Sequence, residues 1–217
     1  MERFWNLPRR YQWPGVEVFP RAVGPFIRSA ADDGTSELVL GTWGLIPWFA
    51  KTPQLMYATN NARFEELSTK ASYKQPWARG QRCIIPALSF DEPCWETGRN
   101  VWWRLRRVDG NPWGLARLWN TWGDKTTGEV IESYTMLTLN ADTHPPMRRM
   151  HKPDPKYSAT EQDKRSVVPI ERGDIEQLLQ GTHEEASPLV RLSPPDTFAY
   201  EQLSADASAR KQAWQPT

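Results

Sequence analysis

Apolar and polar positions alternate, or apolar residues run together at strand length, in several short stretches of this chain bounded by Gly, Pro, Asn or Asp. ELVLGTWGLIPW (37–48) begins as a strand, with alternation and with β-branched and aromatic residues, and its Gly and Pro end it. QRCIIPALSF (81–90), VWWRLRRV (101–108), WGLARLW (113–119) and SYTMLTLNA (133–141) are four further strand candidates, and KRSVVPI (164–170) is a shorter one. DGNP (109–112) is a turn between two of them, its Gly and Asn supplying the backbone freedom. ATNNARFEELS (58–68) has an Asn-rich start followed by helix formers, which predicts a loop opening into a short helix. RGDIEQLLQG (172–181) predicts a helix ending at its Gly. Residues 1–36 are Pro- and Arg-rich, with VEVF and PFI as short apolar pieces, and predict irregular structure with short strands. From Glu184 the chain becomes a polar, Pro-rich tail. Nothing repeats and no linker divides the chain. The expectation is one α+β domain over 1–217, β-rich with a few short helices and long loops, its core at about 19–180 and its tail at about 184–217.

The 217 residues are 39% apolar and 24% charged, enough for one sizeable core. A net charge of +1 predicts neither a nucleic-acid nor a membrane partner; only local clustering of charge could do so. No apolar run reaches the length needed to span a bilayer, and the opening MERFWNLPRRYQW has no signal-peptide apolar region. Cys83 and Cys94 are too few for a disulfide framework or a four-thiolate zinc site, which leaves a reducing cytoplasm as the expected compartment. The unusual figures are 12 Trp and 19 Pro. Indole rings normally fill cores, but those beside turn residues or arginines are available for stacking.

Four patches carry candidate chemistry, each with a plain alternative. In TNNARFEEL, Asn61 and Arg63 lie where a loop meets a helix, and helix capping accounts for the Asn. In SFDEPCWETG, Glu92 follows a buried strand end, either as a general base with a raised pKa or as a hydrated surface acid. In TWGLIPWFAK, Trp48 and Phe49 form the tip of a strand: exposed they make a stacking wedge, buried a hydrophobic plug. THPPMRRMHKP (143–153) holds His144, His151, Arg148, Arg149 and Lys152, a pattern for phosphate contact around an imidazole or for a solvated basic loop. Its histidine spacing and the lack of further nitrogen or sulfur ligands argue against a metal.

Taken in order, LGTWGLIPWFAK, TNNARFEEL, RCIIPALSFDEP, GLARLW, YTMLTLNAD and MHKP…DKRSVVPI resemble the SOS-response-associated peptidase (SRAP) family, from about Phe19 to about Leu179. The family's N-A-R-x-E element is Asn61-Ala62-Arg63-Phe64-Glu65, and its P-A-x-x-F-x-E element is Pro86-Ala87-Leu88-Ser89-Phe90-Asp91-Glu92. Its H-x-R-M-P-V-I element aligns at His151, with an insertion before Arg165-Ser166-Val167-Val168-Pro169-Ile170. The resemblance implies a barrel-like α+β fold with a basic groove for single-stranded DNA containing abasic sites, no cofactor and no metal. It also implies covalent capture of the opened sugar through a thiazolidine or imine, and self-cleavage at the N-terminus. In that scheme Asn61, Glu92 and His151 are catalytic. Trp48 and Phe49 wedge at the DNA, while Arg63, Arg148 and Arg149 contact its backbone. The expected partner is DNA, with no membrane, in a monomer at the nucleoid.

One departure stands out. The family's thiazolidine needs a cysteine at position 2, where this sequence has Glu2. Three expectations follow: a start further upstream, a degenerate module that binds single-stranded DNA without cross-linking, or an imine formed by the free α-amine. Cys83 reads as a buried apolar residue inside a strand. Cys94 lies close to Glu92 but lacks the α-amine.

Overall fold

The computed structural model describes residues 17–31 and 34–213 and shows an α+β fold wound around a closed ring of strands. β1 (Val23–Ser29) and β2 (Ser36–Trp43) pair antiparallel along their whole length, from Val23 against Thr42 to Ser29 against Ser36. β4 (Arg82–Ala87) carries the apolar run RCIIPA and pairs with β1 on one side and with β7 (Trp113–Gly123) on the other. β8 (Val130–Asn140) pairs antiparallel with β7 and parallel with β2, which closes the ring β7–β4–β1–β2–β8.

Contacts between strands that are not neighbours show which face is inside. Phe26 on β1 packs against Tyr134 on β8 with ring centroids 5.5 Å apart. Arg28 on β1 bonds Glu132 on β8 at 3.1 Å and lies 4.2 Å over the Trp119 ring on β7. Cys83, Leu115 and Met136 belong to the same buried cluster as Phe26 and Tyr134. The inner volume is tight where Gly24 and Gly41 pair: a Cβ on Gly24 would stand 2.6 Å from the Tyr134 hydroxyl, and one on Gly41 2.8 Å from the Phe26 ring. The outer face, with Ile27, Ile84, Leu118 and Leu137, is covered by α1 (Ala71–Ala78) through Tyr73 and Trp77 and by α2 (Ile175–Gln180) through Leu178 and Leu179.

Below the ring, β8 exchanges partners. Past β7 it takes β9 (Arg165–Val167), and past β2 it takes β3 (Asn61–Arg63) in parallel. The short β10 (Pro169–Ile170) extends the sheet beside β7. A second sheet of β5 (Phe90–Cys94), β6 (Val101–Arg107) and β11 (Phe198–Gln202) packs against the inner cluster through Cys94, Leu105 and Phe198. α3 (His183–Ala186) is opened by a capping box between Thr182 and Glu185, and α4 (Ala205–Ala213) ends the described chain.

Three expectations change. The segment 58–68 does not open into a helix: Asn61–Arg63 is extended and only a single 3-10 turn, Phe64–Glu66, follows. Asn61 therefore caps no helix. The open edge of β8 captures it, and tertiary pairing overrides the local preference of Asn and Glu-rich sequence. α1 is an unpredicted helix, because Pro76 sits inside it and its buried stripe, Tyr73, Pro76 and Trp77, is little longer than one turn. The polar, Pro-rich stretch after Glu184 also contributes to the core. Phe198 is 4% exposed, and β11 completes the second sheet.

Candidate functional site

Strand alternation sends the adjacent acids Asp91 and Glu92 to opposite faces of β5. Asp91 pairs in register with Arg104, whose Nε and Nη2 each reach the carboxylate at 2.8 Å, and Lys211 on α4 adds a third bond at 2.7 Å. Burial pushes the Asp91 carboxyl up, but the hydrogen bonds from Arg104 and Lys211 outweigh it and hold the group below its ordinary value. Among the described residues Glu92 has no such arginine or lysine partner. Its side chain is 16% exposed and meets His151, with Nε2 to Oε2 at 3.3 Å. Burial raises its pKa, the negative Asp91 adds to the rise, and His151 opposes it. Two neighbouring carboxyls pushed in opposite directions are a recurrent arrangement where one acid holds structure and the other moves protons.

His151 arrives there because THPPMRRMHKP folds as a buttress beside β5. Met147 and Met150, 1% and 2% exposed, anchor the segment in the inner cluster. Met150 forms a bridge with Cys94, the Trp95 N–H donates to the Arg149 carbonyl at 3.0 Å, and the His151 N–H donates to the Pro93 carbonyl at 2.6 Å. His151 itself adopts a left-handed backbone, φ 59°, which costs a non-glycine residue about 1 kcal/mol and persists only when its surroundings hold it. His144 serves the turn. It is 6% exposed, its Nε2 lies 2.8 Å from the Ser193 carbonyl, and its Nδ1 accepts from the Met147 N–H at 3.4 Å.

Asn61 stands in register with Met136, the inner-face residue that shares a cluster with Cys94 and Met150. Its carbonyl accepts from the Tyr73 hydroxyl at 3.0 Å, and the residue is exposed. Among the described residues no hydrogen bond joins its side chain to Glu92 or His151. Asn61 instead lines an open cavity of about 500 Å³ with Phe49, Tyr57, Arg63, Lys70 and Tyr73, and neither Glu92 nor His151 is among its walls. The structure thus brings two of the three expected catalytic side chains into contact and sets the third on β3, in the other sheet from β5.

Trp48 and Phe49 are 61% and 42% exposed and meet edge to face at 5.7 Å, so the tip is a surface feature and not a plug. The turn beneath it is pinned: the Asn120 side-chain amide donates to the Ile46 carbonyl at 2.8 Å, and the Trp122 indole donates to the Ala50 carbonyl at 2.9 Å. The arginines differ in availability. Arg63 pairs with Asp163 at 2.5 Å, and Arg149 pairs with Glu96 while its guanidinium lies 5.7 Å from the Trp103 ring. Arg148 is exposed and has no side-chain partner among the described residues. Lys152 sits over the Trp95 ring at 5.5 Å. Among the described residues no group of three His, Cys, Asp or Glu could hold a metal ion. Cys83 and Cys94 are both buried, and burial pushes the Cys83 thiol well above its ordinary value. Position 2 lies outside the described residues.

The family model for SOS response associated peptidase (SRAP) matches residues 5–207. This chain belongs to the SRAP family. Among its relatives, the abasic site processing protein HMCES of Xenopus tropicalis is 28% identical over 160 residues, which cover 61% of this chain and 47% of the relative. The chain thus spans about half the length of that relative. The abasic site processing protein YoqW of Bacillus subtilis is 32% identical over 168 residues, 75% of this chain and 70% of the other. A crystal structure of a protein from Bordetella bronchiseptica superposes with a TM-score of 0.81 at 31% identity and covers 94% of both chains. A second, from Bacteroides thetaiotaomicron, shares the fold at a TM-score of 0.67 and 21% identity.

Within this SRAP chain, sequence reasoning missed Lys164, whose ammonium reaches the His151 carbonyl, and Tyr73, which holds the Asn61 strand. A lysine opening the apolar run KRSVVPI was the visible signal for the first. Tyr73 lies in the helix that pattern did not reveal.

Proposed function

We propose that this protein acts in the DNA-damage response, recognising abasic sites in single-stranded DNA and capturing the opened sugar covalently. Family membership supports the substrate class, since the relatives are named for abasic site processing. The observation that carries the chemistry is the Glu92–His151 pair: a carboxyl with a raised pKa against a half-exposed imidazole.

An abasic sugar exchanges between a closed hemiacetal and an open aldehyde. In the proposed mechanism His151 gives a proton to the ring oxygen as the C1′–O4′ bond breaks and the C1′ hydroxyl loses its own, leaving the aldehyde. An amine at the N-terminal end of the chain then attacks C1′. Glu92 passes the two amine protons in turn to the C1′ oxygen, which leaves as water, and a neutral imine results. A thiol next to that amine would add across the C=N bond, its sulfur to the carbon and its proton to the nitrogen, to give a thiazolidine. Cys83 and Cys94 cannot serve, because both are buried inside strands and neither carries an α-amine. Groups that move protons in this way must stand within hydrogen-bond reach and have pKa values near the working pH, and the rise at Glu92 is in that direction. Asn61 would orient the sugar from β3, and the same proton-moving pair would serve N-terminal self-cleavage. Trp48 and Phe49 would stack on bases, with Arg63, Arg148 and Arg149 toward the phosphates.

Incubation with a single-stranded oligonucleotide carrying one abasic site, followed by denaturing electrophoresis, tests the reading. A protein–DNA band that survives without reductant indicates the thiazolidine, and one that needs borohydride indicates the imine. Preference for the abasic strand without any band removes the covalent step and leaves a shielding module. Equal affinity for abasic and intact strands, with no band, overturns the proposal.

A further inference from the structure

Lys164 follows the exposed loop 152–163 and turns its side chain inward. The residue is 7% exposed, and its Nζ donates to the main-chain carbonyl of His151 at 2.6 Å. Its own backbone is clamped on both sides. The Lys164 N–H donates to Asp142 Oδ1 at 2.9 Å, and its carbonyl accepts from the Ala141 N–H at 2.6 Å. The same Asp142 carboxylate takes the N–H groups of Gln162 at 3.2 Å and Asp163 at 3.0 Å, so the foot of the loop is fixed to the end of β8. His151 is therefore gripped at both ends of its peptide, by Pro93 through its N–H and by Lys164 through its carbonyl.

We propose that Lys164 is a positioning residue, whose buried ammonium holds His151 in its left-handed conformation and thereby aims the imidazole at Glu92. The inference rests on the function proposed above for the Glu92–His151 pair, and nothing in the family motifs assigns it. Burying a lysine to reach one carbonyl is expensive, and an apolar residue would fill the same space at lower cost. Burial indeed pulls the lysine's pKa down, against the opposing charge of Asp142. The geometry shows what the expense secures: a non-glycine φ of 59° at the residue that contacts Glu92.

The test is a coupling measurement on the full chain. Imidazole resonances are followed by NMR at a fixed pH, with the His151 signal identified by its loss in His151→Asn. In the wild-type protein, Glu92→Gln displaces the His151 ring signals, because the two side chains are in contact at 3.3 Å. In a Lys164→Met background that displacement shrinks or vanishes, and capture of abasic DNA slows on the order of tenfold at saturating DNA as the imidazole is misplaced. A role confined to stability would lower the melting temperature and leave the displacement intact, and that result overturns the proposal. If Lys164→Met does not fold, Lys164→Gln, which keeps a shorter donor, is measured in the same way, and an unchanged displacement there is equally fatal. Should His151→Asn leave capture unaffected, the proposed function fails, while the NMR coupling still decides the positioning role.

Discussion

The imidazole of His151 and the carboxyl of Glu92 meet at 3.3 Å because a bridge between Met150 and Cys94 lays one segment beside the other. The pairing sets the first prediction. The folded protein holds the Glu92 carboxyl above its ordinary value of 4.5. A raised carboxyl binds its proton more tightly in the folded state than in the unfolded one, so its stabilising contribution is complete below the unfolded value and is lost as pH rises through the folded value. Glu92→Gln stays neutral throughout. Its melting temperature should exceed that of wild type near neutral pH, and the gap should close below about pH 4. Parallel melting curves across that range would refute the assignment.

His151→Ala should separate binding from chemistry. Loss of a general acid costs about a hundredfold or more in rate. The affinity for abasic single-stranded DNA should change little, since the side chain is one polar group beside a larger surface. Single-turnover capture rates and anisotropy titrations of the same variant check the two halves.

Trp48 and Phe49 project from a turn whose anchors are Ile46 and Ala50, so removing the rings leaves the fold intact. Base–aromatic stacking contributes about 1–3 kcal/mol per base. Trp48→Ala should weaken single-stranded DNA binding by roughly tenfold with an unchanged melting temperature. A drop in melting temperature instead would make the tip structural.

The arginines should rank by their internal partners. Arg148 is exposed, whereas Arg149 is held by Glu96 and Arg63 by Asp163. Arg148→Ala should reduce the slope of log affinity against log salt by about 0.7, the value for one phosphate contact on a single strand. Arg149→Ala should reduce it less, and a reversed order in salt titrations would contradict the ranking.

Two buried arginines on paired strands should respond oppositely to Met. Arg82 donates its Nε to the Leu178 carbonyl at 2.5 Å and its Nη2 to the Gly181 carbonyl, satisfying the end of α2. Arg82→Met should cost about 2 kcal/mol or more, read by chemical denaturation. Arg117 is 3% exposed, and among the described residues its Nε and Nη1 have no hydrogen-bond partner. The faces of Trp43 and Tyr134 lie 5.0 and 5.4 Å away, and burial pulls its pKa down to about 10. Arg117→Met should be neutral or stabilising, because an apolar side chain of similar length removes an unneutralised buried charge.

The strands were legible wherever a run of β-branched and aromatic residues met a Gly or Pro. RCIIPA, VWWRLRR and YTMLTLN all formed at their expected places. Asn61–Arg63 was not legible, since its strand exists only through the edge of β8 that accepts it. α1 was hidden because it carries Pro76 in its interior and Trp77 buries against residues supplied by other elements. For the site, the order of short motifs pointed to Asn61, Glu92 and His151 as a group. The contact between the last two was not written in either motif.

From its sequence alone the chain determined its strand-rich class, its SRAP resemblance and the residue types available for proton transfer. These depend on local period and on short motifs, which survive in one dimension. Only the tertiary structure decided that Asp91 is neutralised by Arg104 and Lys211 while its neighbour Glu92 faces His151, and that Lys164 grips the His151 carbonyl. Such differences arise from strand register, from which face a side chain takes and from how far water is excluded. Each is set by segments distant in the chain.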